Sequence, residues 1–167
     1  PQDEIILRLN SELNKTYLWY GNIDKRKAFA ENQLAQDSNA ASAGEGVAVG
    51  RVLAKSGAAY RNVARCLVDT FGEDDKILTK VKEKQLPDVL QTMPSEKREA
   101  YIKALAAQRN RVQMEIAKVA AEREAYLSEA RQRLTEESGQ ATLGNAIVSA
   151  IVKQLAESGF ATSTALP

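Results

Sequence analysis

Residues 95–138 read SEKREAYIKALAAQRNRVQMEIAKVAAEREAYLSEARQRLTEES, and this stretch decides the fold of the chain. It contains neither glycine nor proline. It is dominated by alanine, glutamate, arginine, lysine, glutamine and leucine, which lose the least conformational freedom on entering a helix. The stretch therefore predicts one continuous helix, roughly 60 Å long at about 1.5 Å of rise per residue.

A narrow line of apolar residues, which we call the apolar seam, runs along this predicted helix. Its members follow one another at steps of three, four and seven residues: Ile102, Leu105, Val112, Ile116, Val119, Tyr126 and Ala130. Arg109 and Arg123 occupy the seam positions between them. Such a seam is typical of a helix that packs against one or two others within a bundle. The alternative is a partner-binding or self-associating coiled coil, but two seam arginines disfavour a long homodimer because each charge would need a partner.

The rest of the chain predicts shorter helices. They cover residues 1–20, 25–41, 47–71 and 76–84, with a last helix between Thr142 and Gly159. Asp24 is expected to cap the second helix. Gly50 and Gly57 in the third helix mark either close helix packing or a break near residues 55–57. No alternating run of β-branched residues predicts a strand.

These elements predict an all-α fold, an elongated helical bundle built around the helix at about 95–138, with no sheet. We expect residues 1–160 to form one helical module and residues 161–167 to form a disordered tail. The chain starts with Pro1 and not with methionine, so we expect it to be a piece of a larger protein.

The apolar periodicities also predict the core. The residues expected to be most buried are Leu9, Leu13, Val63, Leu67, Ile102, Leu105, Val112, Ile116, Ile147 and Ile151. The stretch from Ile102 to Ile116 carries the larger seam side chains, so we expect other parts of this chain to cover it.

Composition narrows the possible chemistry. Histidine, the commonest general base and metal ligand, is absent. Cys66 is the only cysteine, which excludes an internal disulfide and a zinc cluster, and we expect it to be a buried, inert thiol. The net charge of +1 gives no drive toward nucleic acid, and no apolar stretch has the length of a membrane span. The sequence therefore predicts no catalytic site, cofactor, metal, nucleic-acid partner or membrane span.

The far end of the predicted long helix is the candidate partner-binding surface. Its residues are Tyr126, Leu127, Ala130, Arg131 and Leu134. In one arrangement, Gly139 turns the chain and the last helix packs back antiparallel through Leu143, Ile147, Ile151 and Leu155, which is the arrangement that we favour. In the other arrangement, the surface stays exposed and contacts a neighbouring domain or a second protein.

Several short motifs occur in a fixed order along the chain. They are Leu9-Asn10, Leu13-Asn14, Thr16-Tyr17, Tyr20-Gly21, Ala35-Gln36-Asp37, Asn39-Ala40, Lys55-Ser56-Gly57, Tyr60-Arg61-Asn62, Leu67-Val68-Asp69, Arg98-Glu99-Ala100-Tyr101, Arg123-Glu124-Ala125-Tyr126-Leu127 and the segment from Thr142-Leu143 to Phe160. Together they resemble the helical region that is C-terminal to the von Willebrand factor type A domain in a group of bacterial proteins. The resemblance implies a helical companion of such a domain in an extracytoplasmic bacterial protein. The family's ion-dependent adhesion site uses an Asp-x-Ser-x-Ser motif, which this sequence lacks, so the resemblance supplies no metal-binding residue.

The leading hypothesis is therefore a non-catalytic interaction or scaffold module, whose partner is the adjacent von Willebrand type A domain or another protein. One alternative is a nucleic-acid-binding helical domain that uses Arg61, Arg65 or the cluster at 109–111, although acidic residues interleave with these basic ones. An enzyme is the second alternative, and no carboxylate pair lies in an apolar context that would shift its pKa.

Overall fold

A computed structural model describes residues 1–138 and 143–158 of the chain. Its helices, in chain order, are α1 (Gln2–Asn14), α2 (Ile23–Ser42), α3 (Glu45–Ser56), α4 (Leu67–Glu73), α5 (Ile77–Lys80), α6 (Asp88–Gln91), α7 (Ser95–Ser138) and α8 (Leu143–Glu157), with a short 3-10 turn at Glu83–Gln85. Among residues 1–138 and 143–158 the chain forms no strand, and Trp19 and Cys66 form an isolated bridge. The predicted all-α fold and the predicted long helix are confirmed.

The chain divides into two compact units, Pro1–Arg123 and Glu124–Pro167. None of the helices described in either unit has both the length and the apolar character needed to cross a membrane. Thr142 and Gly159, which bound the predicted last helix, and the predicted tail at 161–167 lie outside the described residues.

Three of the shorter helices begin or end at different residues from those predicted. Asn22, not Asp24, caps α2, because its Oδ1 accepts a hydrogen bond of 2.8 Å from the Lys25 N–H. Asp24 lies instead in the first turn, where a negative charge stabilises the positive end of the helix. Helix α1 ends at Asn14, and the predicted helix at 76–84 is only α5 and the 3-10 turn.

The predicted third helix is two helices separated by a loop. Helix α3 ends at Ser56, and α4 begins only at Leu67. A Cβ atom at Gly57 would lie 3.3 Å from the Ala54 carbonyl oxygen, so the glycine permits a tight turn there. The end of the loop pairs with the segment after α1: the Tyr20 N–H donates to the Arg65 carbonyl at 3.0 Å, and the Leu67 N–H donates to the Leu18 carbonyl at 2.8 Å.

The first part of α7 is buried along one side at every third or fourth residue. These residues are Ile102, Leu105, Arg109, Val112, Ile116 and Val119. Ile102 and Leu105 join one apolar cluster, with α4, α5 and the residues just before and within α6. Val112, Ile116 and Val119 join a second cluster with α1 and α3. The expectation that the chain itself covers residues 102–116 is confirmed.

Seven of the ten residues predicted to form the core are buried: Leu9, Leu13, Leu67, Ile102, Leu105, Val112 and Ile116. The prediction is wrong for Val63, Ile147 and Ile151, which are exposed. Val63 lies in the loop that replaces the predicted third helix, so it has no helical face to share. Ile147 and Ile151 lie on α8, and both remain half accessible to solvent.

Replacing Leu67 or Ile116 by alanine is expected to lower the free energy of unfolding by about 2–5 kcal/mol, because each side chain is fully buried and its loss leaves a cavity. Val63→Ala is the matched control, and at this exposed position the change should stay within about 0.5 kcal/mol. Urea unfolding followed by far-UV circular dichroism measures all three variants. Similar losses at the three positions would contradict the assigned core.

Candidate functional site

The predicted partner-binding residues all lie on α7, in the second compact unit. Tyr126 is 53% exposed and Leu134 is 59% exposed, whereas Leu127 and Ala130 are partly buried. Arg131 is exposed, and its Nη1 lies 3.1 Å from Glu124 Oε1 on the same helix. This part of α7 therefore presents large apolar side chains to solvent beside an ion pair.

Helix α8 presents a second set of exposed apolar side chains. Ile147, Val148, Ile151 and Leu155 are between 40 and 50% exposed. At 3.6 residues per turn these four positions fall within one side of the helix. Such exposure does not fit the antiparallel hairpin that the sequence favoured, because packing through this side would bury it. Gly139 and the side chain of Leu143, which belong to that prediction, lie outside the described residues.

Arg109 of the apolar seam is only 6% exposed, and partners from distant segments satisfy its guanidinium. Its Nε donates to Thr16 Oγ1 at 2.9 Å, and its Nη2 donates to the Thr16 carbonyl at 2.7 Å. Its Nη1 lies 2.8 Å from Asp69 Oδ1, and its Nη2 lies 3.4 Å from Cys66 Sγ. The same guanidinium lies 4.4 Å from the ring centroid of Tyr17. Arg109 therefore joins α7 to α4 and to the segment after α1.

The second seam arginine also pairs with a carboxylate. Arg123 forms an ion pair with Asp3 in the first turn of α1, where Nη2 lies 3.3 Å from Oδ2. Both seam arginines therefore have the carboxylate partners that their charges require, and these partners lie inside the first unit. Their charges are neutralised without a second chain, so they belong to the fold of this unit.

A polar cluster that was not predicted from the sequence lies buried between α1, α2 and α3. Lys55 is fully buried, and its Nζ lies 2.7 Å from Asp37 Oδ2 and 2.8 Å from Asn14 Oδ1. Asn10 and Asn14 donate to the same carboxylate at 3.1 and 2.9 Å, and Arg51 Nε lies 3.1 Å from its other oxygen. One carboxylate therefore serves two cations and two amides.

The helical period of α3 indicates from the sequence that Lys55 lies on the buried side of this helix. Ala48 and Val52 are buried on α3, and Lys55 follows them at the seventh position, on the same side of the helix. A lysine on the buried side of a helix requires a nearby anion. Asp37 on α2 supplies it, but only the tertiary structure brings the two residues together.

Burial and hydrogen bonding act in opposite directions on this pair. Burial lowers the pKa of Lys55, and its contact with Asp37 offsets only part of that effect. Burial alone would raise the pKa of Asp37, but hydrogen bonds from Asn14 and Lys55 outweigh it and hold that pKa below its usual value. The carboxylate is therefore ionised across the neutral range and balances the buried ammonium.

In the parts of the chain that the structure describes, no three His, Cys, Asp or Glu side chains are grouped so that they can hold a metal ion. Cys66 is buried as predicted, and its Sγ accepts from the Leu18 N–H at 3.4 Å.

In comparisons with known proteins, no family model matches the sequence, and neither the curated proteins nor the solved structures contain a match.

Asp37→Asn is expected to lower the free energy of unfolding by about 3–5 kcal/mol at neutral pH, because it leaves the Lys55 charge buried without an anion. The folded-state pKa of Asp37 is depressed, so its contribution is present above about pH 4 and is lost as the pH falls through the folded value. The variant should therefore lose less stability than the wild type on acidification below about pH 4.

Urea unfolding at a series of pH values measures this difference. Asp75→Asn is the matched control, because Asp75 is exposed and the same change there should stay within about 0.5 kcal/mol at neutral pH. Parallel pH profiles for the wild type and Asp37→Asn would show that the carboxylate does not stabilise the fold.

Proposed function

We propose that this chain is a non-catalytic helical interaction module that accompanies a von Willebrand factor type A domain. One observation carries the proposal, namely the large apolar side chains that the second unit exposes on α7 and α8. They are Tyr126, Leu134, Ile147, Val148, Ile151 and Leu155. The partner follows from the order of the sequence motifs that resemble the region after such a domain.

Exposed apolar area of this kind favours association. Single exposed apolar residues are ordinary, but several together on a short stretch of helix mark an interaction surface. Fully burying one side chain the size of leucine or isoleucine contributes about 1.5–3 kcal/mol. The four side chains on α8 are 40–50% exposed, so covering them contributes part of that free energy each, and the entropy of ordering opposes the association.

Three ion pairs lie along the helices beside these side chains. They are Arg131 with Glu124, Arg133 with Glu129 and Lys153 with Glu157. All of these pairs are exposed, so each contributes little to stability. Residues 124–158 contain five glutamates and three basic residues, so the surplus of charge is small and negative, and we assign recognition through this surface mainly to apolar contact.

The positions of the basic residues weaken the nucleic-acid alternative. Arg109 is buried against Asp69, and Arg61 Nη1 lies 2.9 Å from Glu73 Oε1. Phosphate binding needs accessible cations that release counterions; these two arginines already have carboxylate partners, whereas Arg65 and Arg111 are exposed. The interaction module is therefore the function that we propose, with an extracytoplasmic location in a bacterium as the resemblance implies.

Hydrogen exchange measured on this chain alone and on the full-length protein that contains it tests the proposal. In the full-length protein, amide exchange in residues 124–136 and 144–157 should become slower, because the neighbouring domain covers both segments. The full-length sequence should also carry the Asp-x-Ser-x-Ser motif of a von Willebrand type A domain. Equal exchange in the two samples, or a full-length protein without such a domain, would contradict the proposal.

A pair of variants locates the contact on α8. Ile151→Gln removes an apolar side chain from the exposed side, and Lys153→Gln makes the matched change on the other side of the helix. In the full-length protein, Ile151→Gln should return the exchange of residues 144–157 to the rate found in the chain alone. Lys153→Gln should leave the slower exchange unchanged. The reverse result would place the contact on the other side of α8.

A further inference from the structure

The N-terminal end of α2 lies against the segment that leads from the 3-10 turn into α6. The Gly21 N–H, just before α2, donates to the Gln85 carbonyl at 2.8 Å, and Arg26 Nη1 donates to the Leu86 carbonyl. These contacts join two segments that are far apart in the chain into one surface of the first unit. We call this surface the lysine patch, and it consists of residues 22–27 and 82–89.

The lysine patch carries a surplus of positive charge. In residues 22–27 and 82–89, all of which the structure describes, four exposed lysines have no anionic partner: Lys25, Lys27, Lys82 and Lys84. Two of the three carboxylates in these segments are already occupied. Asp88 lies 3.0 Å from Arg26 Nη1, and Glu83 Oε2 accepts from Arg98 Nη1 at 2.8 Å. Only Asp24 remains to balance the four lysines, although the net charge of the chain is no more than +1.

Exposed apolar side chains lie among these lysines. Ile23 is 54% exposed and Val89 is 39% exposed, one in each segment of the patch. Ile23 and Lys27 line one cavity of about 310 Å³ together with Trp19 and Pro87. They are four residues apart on α2, so they share one side of the helix. The patch therefore presents apolar side chains and unpaired ammonium groups next to one another.

This combination favours a lipid bilayer over other anionic partners. Recognition of one phosphate or carboxylate by its shape uses the planar fork of arginine, whereas lysine is a point charge that suits many headgroups. The two arginines that contact the patch, Arg26 and Arg98, are already held by carboxylates. Nucleic acid offers no apolar layer to Ile23 and Val89, but the acyl boundary beneath the headgroups of a bilayer does.

We propose that the lysine patch docks the first unit on the surface of an anionic lipid bilayer. The lysines contact the anionic headgroups, and Ile23 and Val89 reach the acyl boundary below them. Long lysine side chains cover apolar surface with their stems while their ammonium groups stay at the headgroups, so both contacts form together. This surface is separate from the apolar side chains of α7 and α8 on which the proposed function rests.

Trp19 is the only tryptophan in the sequence, and it lines the same cavity as Ile23 and Lys27, so its fluorescence reports on docking. The whole chain is titrated with vesicles of equal parts phosphatidylcholine and phosphatidylglycerol, which should shift the emission to shorter wavelength until it saturates. Vesicles of phosphatidylcholine alone should bind about tenfold more weakly or less, because they lack the anionic headgroup. About 1 M salt should release the chain, since it shortens the Debye length to about 3 Å.

Two variants separate the contribution of charge from that of apolar contact. Lys27→Gln combined with Lys84→Gln should weaken binding about tenfold or more, because each lysine near an anionic surface contributes about fivefold. Ile23→Gln should weaken binding about fivefold, because it removes a half-exposed apolar side chain from the contact.

Each variant has a matched control outside the patch. Lys118→Gln combined with Lys153→Gln also removes two exposed lysines, and Ile151→Gln also replaces a half-exposed isoleucine. Both controls should bind the anionic vesicles as the wild type does.

Equal binding to the two kinds of vesicle, or no binding to either, would overturn the proposal. Equal losses in a patch variant and its control would place the contact elsewhere on the chain and would overturn it too. Loss in the double lysine variant with unchanged binding of Ile23→Gln would show contact through charge alone, as with an acidic protein. That result would overturn the assignment of a bilayer to this surface.

Discussion

The guanidinium of Arg109 is the interaction on which the first unit depends. It occupies a position of the apolar seam, between the cluster that contains Leu105 and the cluster that contains Val112. Removing a guanidinium from water costs several kcal/mol, and only a complete set of acceptors offsets that cost. Thr16 and Asp69 provide these acceptors. Any shift of α7 along its neighbours would leave the charge buried without them, so Arg109 selects one register for the long helix.

The cluster around Lys55 and Asp37 applies the same constraint to the first three helices. A fully buried ammonium requires its carboxylate at a fixed distance, and this requirement sets how α2 lies against α3. Because Gln33 Nε2 donates to Asn14 Oδ1 of that cluster, the constraint extends to a second residue of α2, which is buried. The buried polar cluster therefore joins α1, α2 and α3 to one another. The second unit, described by itself, offers exposed apolar side chains and no comparable polar cluster among its described residues.

The sequence predicted the features that depend on local residue preferences. Helix α7 follows from a long run of strong helix formers, and its seam follows from spacing alone. The need of Arg109 and Arg123 for partners was also clear from the sequence, because a charge on a buried side of a helix must be neutralised. The identity of those partners was not, since Asp69 and Asp3 are far from them in the chain.

The missed features depend on tertiary contacts. The apolar residues Tyr60, Val63 and Leu67 continue a helical period, but pairing of the loop end with Leu18 and Tyr20 overrides it. The polar cluster around Lys55 and Asp37 was missed for the same reason, because three separate helices contribute to it. The exposure of α8 was missed because its period of isoleucines and valines is equally typical of a buried helix face and of an interaction surface.

A double-mutant cycle between Arg109 and Asp69 tests the central constraint most directly. Arg109→Met and Asp69→Asn, singly and together, are compared by urea unfolding, with Arg111→Met as the control at an exposed position on the same helix. We expect each single change to cost about 3–5 kcal/mol and the pair to show a coupling energy above about 1 kcal/mol, while the control stays within about 0.5 kcal/mol. A coupling energy below about 0.3 kcal/mol would show that the two residues act independently and would contradict the account.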